Sequence, residues 1–196
     1  IAQTICAAFG DNNIIFNATL YNGDFSGDIV SLRGSGGKLN ARLYNNTVYA
    51  NAKYTQQGPI LSIGSVIGGY CPEQLTLYNN IFYVTEGQDR YYLAESACQG
   101  LSFVTSNNNI WYGSSSGLPS FTGANDRSVD PMLVNSSAAD FTLQSPSPAI
   151  DTGSSLVASV VTKDFDGNLR SNGGGYDIGA YEFIGNSKKQ DNKKNK

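Results

Sequence analysis

The stretch Asn45-Asn46-Thr47-Val48-Tyr49 decides the fold, because related copies of it recur along the chain. Each copy opens on two asparagines and continues into apolar and aromatic residues. The other copies occupy residues 12–16, 79–83 and 108–112. Successive copies are 33, 34 and 29 residues apart. A nearly fixed period of this size predicts a fold built from stacked repeats.

Aligning the four copies sorts their positions by chemistry. The second asparagine of each copy forms one column: Asn13, Asn46, Asn80 and Asn109. Two residues later comes a large apolar column: Ile15, Val48, Phe82 and Trp111. Strand residues alternate between faces, so both columns share one face, and the apolar column requires that this face points inward.

Buried asparagine amides need hydrogen-bond partners. Asparagines stacked about 4.8 Å apart on neighbouring strands can supply those partners to one another. A stacked asparagine column at a bend between strands predicts a parallel β-helix. Four unrelated, asparagine-rich surface turns are the alternative interpretation.

The repeat sequences at residues 43–51 and 77–83 resemble those of right-handed parallel β-helix proteins of the polysaccharide-lyase-like superfamily. The C-terminal motifs are similar to the closing segment of many secreted bacterial β-helix proteins, including the choice-of-anchor Q group. These motifs lie at residues 130–135, 140–143, 147–151, 164–168, 170 and 176–182. The resemblance covers roughly residues 10–183. It implies an all-β fold, with a right-handed parallel β-helix (solenoid) closed by a C-terminal segment.

We therefore divide the chain into three parts. Residues 1–115 are predicted to form about four β-helix rungs, residues 116–183 to close the same domain, and residues 184–196 to form a basic, flexible tail. The first rung should expose unpaired strand edges. Missing N-terminal rungs or a stacking subunit are therefore expected to cover residues 1–8.

Composition and charge narrow the class of protein. The 22 glycines and the low charged fraction of 15% suit a solenoid with many turns. Removing the tail's five lysines and one aspartate from 13 basic and 16 acidic residues leaves 8 and 15. So acidic a body argues against nucleic-acid binding. No apolar run of about 18 residues occurs, so no transmembrane segment is expected.

Cysteines and glycosylation sequons are consistent with an extracellular chain. Cys71 and Cys98 lie about one rung apart and are predicted to form a disulfide, whereas Cys6 is expected to be unpaired or bonded to missing sequence. Candidate N-glycosylation sites are Asn17, Asn45 and Asn135. Together with the resemblance, these features favour a secreted or cell-surface protein.

Catalytic candidates are few. The chain has no histidine, which excludes a Ser-His-Asp triad and histidine-based metal chemistry. In β-helix lyases and epimerases, as the resemblance implies, a Lys or Arg acts as the base, and carboxylates bind calcium or neutralise a uronate. The aligned copies bring one charged cluster into register: Asp24, Lys53, Glu86, Asp89 and Arg90. Solvated charges and weak salt bridges are the simpler interpretation.

The C-terminal motifs contain a weak calcium candidate. Asp164, Asp166 and Asn168 have the spacing of calcium-loop ligands, but the bidentate glutamate of such a loop is missing. Apart from calcium, no cofactor is expected. Arg170 is instead predicted to form a structural ion pair with Asp177 or Glu182.

An outward aromatic column is the best binding feature of the sequence: Phe16, Tyr49, Tyr83 and Tyr112. Rings stacked about 4.8 Å apart on a rigid sheet suit the faces of sugars. The alternative is an aromatic ladder that stabilises the sheet and is covered by a loop.

Three functions follow from these observations. The first is a secreted or cell-surface β-helix module that binds or presents a polysaccharide or glycan without catalysis. The second is a polysaccharide lyase or epimerase, and the third is a structural subunit of an extracellular assembly.

Overall fold

The structure, a computed structural model, describes part of the chain. It covers residues 5–6, 10–11, 14–17, 30–32, 40–50, 60–63, 71–85, 92–94, 98, 100–115 and 117–185. Strands dominate these residues, and helix is confined to short 3₁₀ turns such as Ser136–Ala138 and Ser155–Val157. The prediction of an all-β chain is confirmed. Within the described ranges, no helix is long and apolar enough to cross a membrane.

Three parallel sheets each take one strand from every repeat. The first sheet contains β1 (Ile5–Cys6), β4 (Val30–Leu32), β7 (Leu61–Ile63) and β10 (Tyr92–Ala94). The second contains β2 (Gly10–Asp11), β5 (Asn40–Tyr44), β8 (Gln74–Tyr78) and β11 (Val104–Asn107). The third contains β3 (Ile14–Asn17), β6 (Thr47–Ala50), β9 (Ile81–Val84) and β12 (Ile110–Tyr112). An antiparallel pair follows, β13 (Leu133–Asn135) with β14 (Asp140–Leu143).

The register of the third sheet matches the aligned columns of the sequence. Val48 pairs with Phe82, and Phe82 pairs with Trp111. All three side chains are fully buried in a first apolar cluster, to which the first and second sheets also contribute residues such as Leu61 and Leu77. Phe82 and Trp111 stack with ring centroids 4.1 Å apart. Residues from three sheets therefore share one core.

The second asparagines form the predicted ladder on the inner side. Nδ2 of Asn46 donates to Oδ1 of Asn80 at 2.9 Å, and Nδ2 of Asn80 donates to Oδ1 of Asn109 at 2.9 Å. The ladder ends on Asp126, whose Oδ1 accepts from Nδ2 of Asn109 at 2.9 Å. Asp126 has no side-chain amide to donate onward, so it terminates a chain of amide donors that all point one way.

The first asparagines make the bends between the second and third sheets. Asn45, Asn79 and Asn108 have φ values of 52°, 58° and 54°. This left-handed backbone is unfavourable for most residues but tolerated by asparagine. Each of the three asparagine pairs that the structure describes thus combines a bend-forming residue with a ladder residue.

The same first asparagines bind the C-terminal segment. Nδ2 of Asn45 donates to the carbonyl of Asp177 at 2.8 Å, and Asn79 exchanges two hydrogen bonds with the backbone of Ser154. The segment also donates from the Ala180 N–H to Oγ1 of Thr47 at 3.1 Å. Residues 150–180 are therefore held against the bends of the repeats.

A disulfide-distance pair of cysteines lies beside the first apolar cluster. The sulfurs of Cys71 and Cys98 are 2.10 Å apart, in agreement with the predicted pairing. Cys98 is buried in the cluster, and Cys71 packs against it. The side chain of Cys6, residues 1–4 and 7–8, and the tail from residue 186 lie outside the described residues.

Candidate functional site

The outward aromatic column forms one row on the third sheet. Tyr49, Tyr83 and Tyr112 occupy equivalent positions of β6, β9 and β12. Ring centroids are 5.2 Å apart between Tyr49 and Tyr83 and 5.1 Å apart between Tyr83 and Tyr112. Both contacts are edge-to-face, with interplanar angles of 86° and 63°. The rings therefore present edges as well as faces, unlike the flat stack expected from the sequence.

The C-terminal segment covers the Tyr49 end of this row. Tyr49 is only 3% exposed, and its ring lies 5.6 Å from that of Phe141 in β14. The two rings belong to a second apolar cluster that also contains Ile81 and Ile110 from the outer face of the sheet. The prediction that Tyr49 offers an exposed face to a sugar is wrong. The alternative interpretation, a ladder covered by later chain, fits this tyrosine.

Two tyrosines of the row remain partly accessible. Tyr83 and Tyr112 are half-buried, and the hydroxyl of Tyr83 forms a hydrogen bond with Ser136. The hydroxyl of Tyr112 donates to the carboxylate of Asp130. Burial, and then the negative charge of Asp130, raise the pKa of both tyrosines, so both hydroxyls stay protonated at neutral pH. We call these four residues the tyrosine edge.

Several predicted site residues are outside the described part of the chain. They are the ring of Phe16, the side chain of Asn17, and the charged cluster of Asp24, Lys53, Glu86, Asp89 and Arg90. Their roles remain predictions.

The described sequons differ in accessibility. Asn45 is fully buried, and its amide both donates to the carbonyl of Asp177 and accepts from Asn79. The folded protein therefore has no room for a glycan at Asn45, so this candidate is wrong. Asn135 is exposed, and its Oδ1 accepts from Oγ of Ser137 at 2.8 Å, which leaves its nitrogen directed away from that contact.

The residues of the weak calcium candidate lie in a hairpin. Oδ1 of Asp164 accepts from the Asn168 N–H at 2.7 Å, and Oδ2 accepts from Nδ2 of Asn168 at 3.0 Å and from the Glu182 N–H at 3.0 Å. These bonds use the Asp164 carboxylate to close a turn. Among the described residues, no group of three or more His, Cys, Asp or Glu is placed to hold a metal ion. The geometry thus gives the calcium hypothesis no support.

Arg170 forms the predicted ion pair, and its partner is Glu182. Nη1 of Arg170 lies 3.0 Å from Oε2 of Glu182, and both side chains are fully buried. Nη2 of Arg170 donates to the Gly179 carbonyl at 2.9 Å. Asp177 instead accepts from the Asp151 N–H at 2.7 Å and from the Phe183 N–H. The pair therefore ties the last residues of the segment together.

Three carboxylates share this one guanidinium. Asp164, Asp177 and Glu182 all lie close enough to Arg170 to act on its charge. Burial raises the pKa of Asp177 to about 6 and that of Glu182 to about 7. Repulsion adds to this effect of burial, from Asp151 on the pKa of Asp177 and from Asp177 on the pKa of Glu182.

We expect stability to depend on pH through these acids. Their folded-state pKa values lie above the ordinary values of 3.8 and 4.5. Protonation therefore favours the folded state, and its contribution is lost as pH rises through about 6 to about 7. Thermal unfolding should give a higher Tm at about pH 5 than at about pH 8. Glu182→Gln should flatten this dependence, and a wild-type Tm that rises with pH over this window would contradict the assignment.

No family model and no curated protein matches the chain. The chemistry of the tyrosine edge is therefore the starting point for its function.

Proposed function

We propose that this chain is a secreted or cell-surface module with a right-handed parallel β-helix fold, which binds carbohydrate and does not catalyse a reaction by itself. Three parallel sheets around one core, each taking strands in repeat order, support the β-helix. Connections between parallel strands are generally right-handed, which supports a right-handed β-helix. The resemblance of the repeat and closing motifs to the polysaccharide-lyase-like superfamily agrees with this proposal.

An extracellular location is part of the proposal. The disulfide-distance pair of Cys71 and Cys98 is compatible with an oxidising compartment. The exposed sequon at Asn135 agrees with it.

The tyrosine edge is the observation that carries carbohydrate binding. Two half-buried rings, held on a parallel sheet, offer apolar surface to the C–H groups of a sugar. The hydroxyls of Tyr83 and Tyr112, with Ser136 and Asp130, add donors and acceptors at the same edge. A few polar groups around aromatic surface are the usual composition of a ligand site, and a rigid sheet reduces the entropic cost of binding.

The charge at this edge favours a neutral sugar over a uronate. A lyase needs basic groups that neutralise the substrate carboxylate and stabilise the charge formed on proton abstraction. Asp130 is exposed and sits at the hydroxyl of Tyr112, so it would repel a uronate instead. A neutral polysaccharide has hydroxyls that can donate to this carboxylate.

We expect Tyr112→Ala to weaken binding to an immobilised neutral polysaccharide about tenfold, equivalent to about 1.4 kcal/mol. The ring contact and the hydroxyl are both lost in this variant. Tyr112→Phe keeps the packing and removes only the hydroxyl, so it should have a smaller effect. The measurement is retention on a panel of neutral and acidic polysaccharides, followed by calorimetry with the best ligand.

Tyr78→Ala is the matched control for this experiment. Tyr78 is also half-buried but lies on the second sheet, where it stacks on Tyr44 with centroids 5.9 Å apart. The Tyr78→Ala variant should leave glycan binding unchanged. Equal binding by wild type, Tyr112→Ala and Tyr83→Ala would rule out the tyrosine edge as the site.

A further inference from the structure

Residues 163–169 of the C-terminal segment form a hairpin. Lys163 and Leu169 form an antiparallel bridge, and the Asp164 N–H donates to the Asn168 carbonyl at 2.9 Å. The turn closes through the Gly167 N–H, which donates to the Asp164 carbonyl at 3.1 Å. Gly167 has φ of +85°, which strains residues with a Cβ. Backbone and carboxylate bonds thus fix the conformation of the tip.

This fixed tip holds apolar side chains out in solvent. Phe165 is 56% exposed and Leu169 is 70% exposed. The Phe165 N–H donates to the Ala180 carbonyl at 2.9 Å, which anchors the residue while its ring stays accessible. The ring meets Tyr181 edge-to-face with centroids 5.6 Å apart. An aromatic ring held outward on an ordered turn contributes little to the fold, and such placement is typical of binding surfaces.

Polar groups surround this aromatic pair. Asp140 and Asp166 are exposed and lie close enough to Tyr181 for their charges to raise the pKa of its hydroxyl, after the larger effect of burial. The hydroxyl therefore remains a hydrogen-bond donor at neutral pH. Tyr181 thus places a phenolic donor next to the ring of Phe165, and two exposed carboxylates act on that same phenol.

We propose that Phe165 and Tyr181, with Asp140 and Asp166, form a second carbohydrate contact that accepts an uncharged pyranose. This inference rests on the proposed function for the class of ligand. The C–H face of the sugar packs on the exposed ring of Phe165, and its hydroxyls donate to the carboxylates. We call this surface the hairpin site.

Charge defines the sugar class at the hairpin site. A uronate carboxylate bound at Tyr181 would meet the charges of Asp140 and Asp166, which both act on this residue, and like charges repel. A neutral or non-acidic sugar experiences no such repulsion. The selectivity of the site should therefore follow the charge of Asp140 and Asp166.

The size of the exposed surface favours a sugar over a protein partner. A stable protein interface buries about 800 Å² on each partner. The apolar part of the hairpin site consists of the rings of Phe165 and Tyr181 and the neighbouring Leu169. Three such side chains are few for an interface of that size and suit one or two sugar rings.

Both contacts lie around the same apolar cluster. Tyr83 and Tyr112 of the tyrosine edge pack against the second cluster, and so does Tyr181 of the hairpin site. The C-terminal segment therefore supplies one contact and covers the sheet that supplies the other. A long polysaccharide that meets both would gain avidity that a short oligosaccharide lacks.

The test compares single variants of the full chain on immobilised cellulose and xylan as neutral probes and on polygalacturonate as the acidic probe. Phe165→Ala should reduce retention on the best neutral probe at least fivefold. Leu156→Ala is the matched control, because Leu156 is 72% exposed and lies outside the hairpin. This variant should not change retention on any probe. Asp166→Asn should increase retention on polygalacturonate relative to wild type.

The outcomes separate this inference from the proposed function. If Tyr112→Ala loses retention and Phe165→Ala does not, the hairpin site is refuted while the proposed function stands; a hairpin that serves a protein partner would give this result. If Phe165→Ala loses retention and Tyr112→Ala does not, the hairpin site is supported and the tyrosine edge is refuted. If wild type is retained on none of the three probes, both proposals are overturned.

Discussion

Replacing Asn80 with aspartate should lower the free energy of unfolding by about 3–5 kcal/mol. Oδ1 of Asn80 accepts from the N–H of Asn46 at 3.0 Å and from its Nδ2 at 2.9 Å. Nδ2 of Asn80 donates to the Leu43 carbonyl at 2.8 Å and to Oδ1 of Asn109 at 2.9 Å. Aspartate keeps the first two bonds, but its second oxygen would face two acceptors. The variant therefore buries a charge and leaves acceptors without donors.

Urea denaturation of wild type and Asn80→Asp measures this effect. Asn40→Asp is the matched control, because Asn40 is exposed at the start of β5 and the same atoms are exchanged. It should change the free energy of unfolding by no more than about 0.5 kcal/mol. Similar losses in the two variants would show that the buried ladder has no special role in stability.

Removing the disulfide should lower the free energy of unfolding by a comparable amount. The double variant Cys71→Ala/Cys98→Ala should lose about 3–4 kcal/mol, because a cross-link over a sequence separation of 27 residues restricts the unfolded chain. Wild type treated with reductant should unfold at the same urea concentration as the double variant, and reductant should not affect the variant. Peptide mapping without reductant should recover the two cysteines in one linked pair.

Two results would contradict this prediction. The first is a loss below about 1 kcal/mol in the double variant, since a loop of this length should give more. The second is the recovery of free thiols at Cys71 and Cys98 from protein kept under oxidising conditions.

The register of the sheets could be predicted from the sequence because it depends on local period. Alternation along a strand put Asn80 and Phe82 on one face, and the spacing of the copies put them beside Asn46 and Val48. Both relations follow from residues within one repeat and its neighbour. The covalent link between Cys71 and Cys98 could be predicted for the same reason.

The exposure of the outer face of the third sheet could not be predicted in this way. Alternation shows which residues point outward but not whether later chain covers them. Phe141 comes almost 60 residues after Tyr83 in the sequence, yet it packs against Tyr49 and helps to bury it. One signal was present: the outward positions of Ile81 and Ile110 are apolar, and a face that carries such residues beside tyrosines favours a covered surface.

Other contacts depend on chain outside the repeat. Asp126 accepts from Asn109 across only 17 residues, a spacing that the repeat alignment does not contain. Asp130, the partner of Tyr112, lies in the irregular C-terminal segment, and so do both members of the Phe165–Tyr181 pair. The left-handed bends at the first asparagines were available from residue type alone, since asparagine is the residue that best tolerates them after glycine.

Affinity electrophoresis of the full chain tests carbohydrate binding without catalysis most directly. The chain is run in gels that contain cellulose derivative, xylan or polygalacturonate, and the ultraviolet absorbance of unsaturated uronate products is recorded in parallel. The chain should be retarded in a neutral gel and should release no unsaturated product from polygalacturonate. Release of unsaturated product that Lys53→Ala or Arg90→Ala abolishes would contradict this expectation, and so would unretarded migration in every gel.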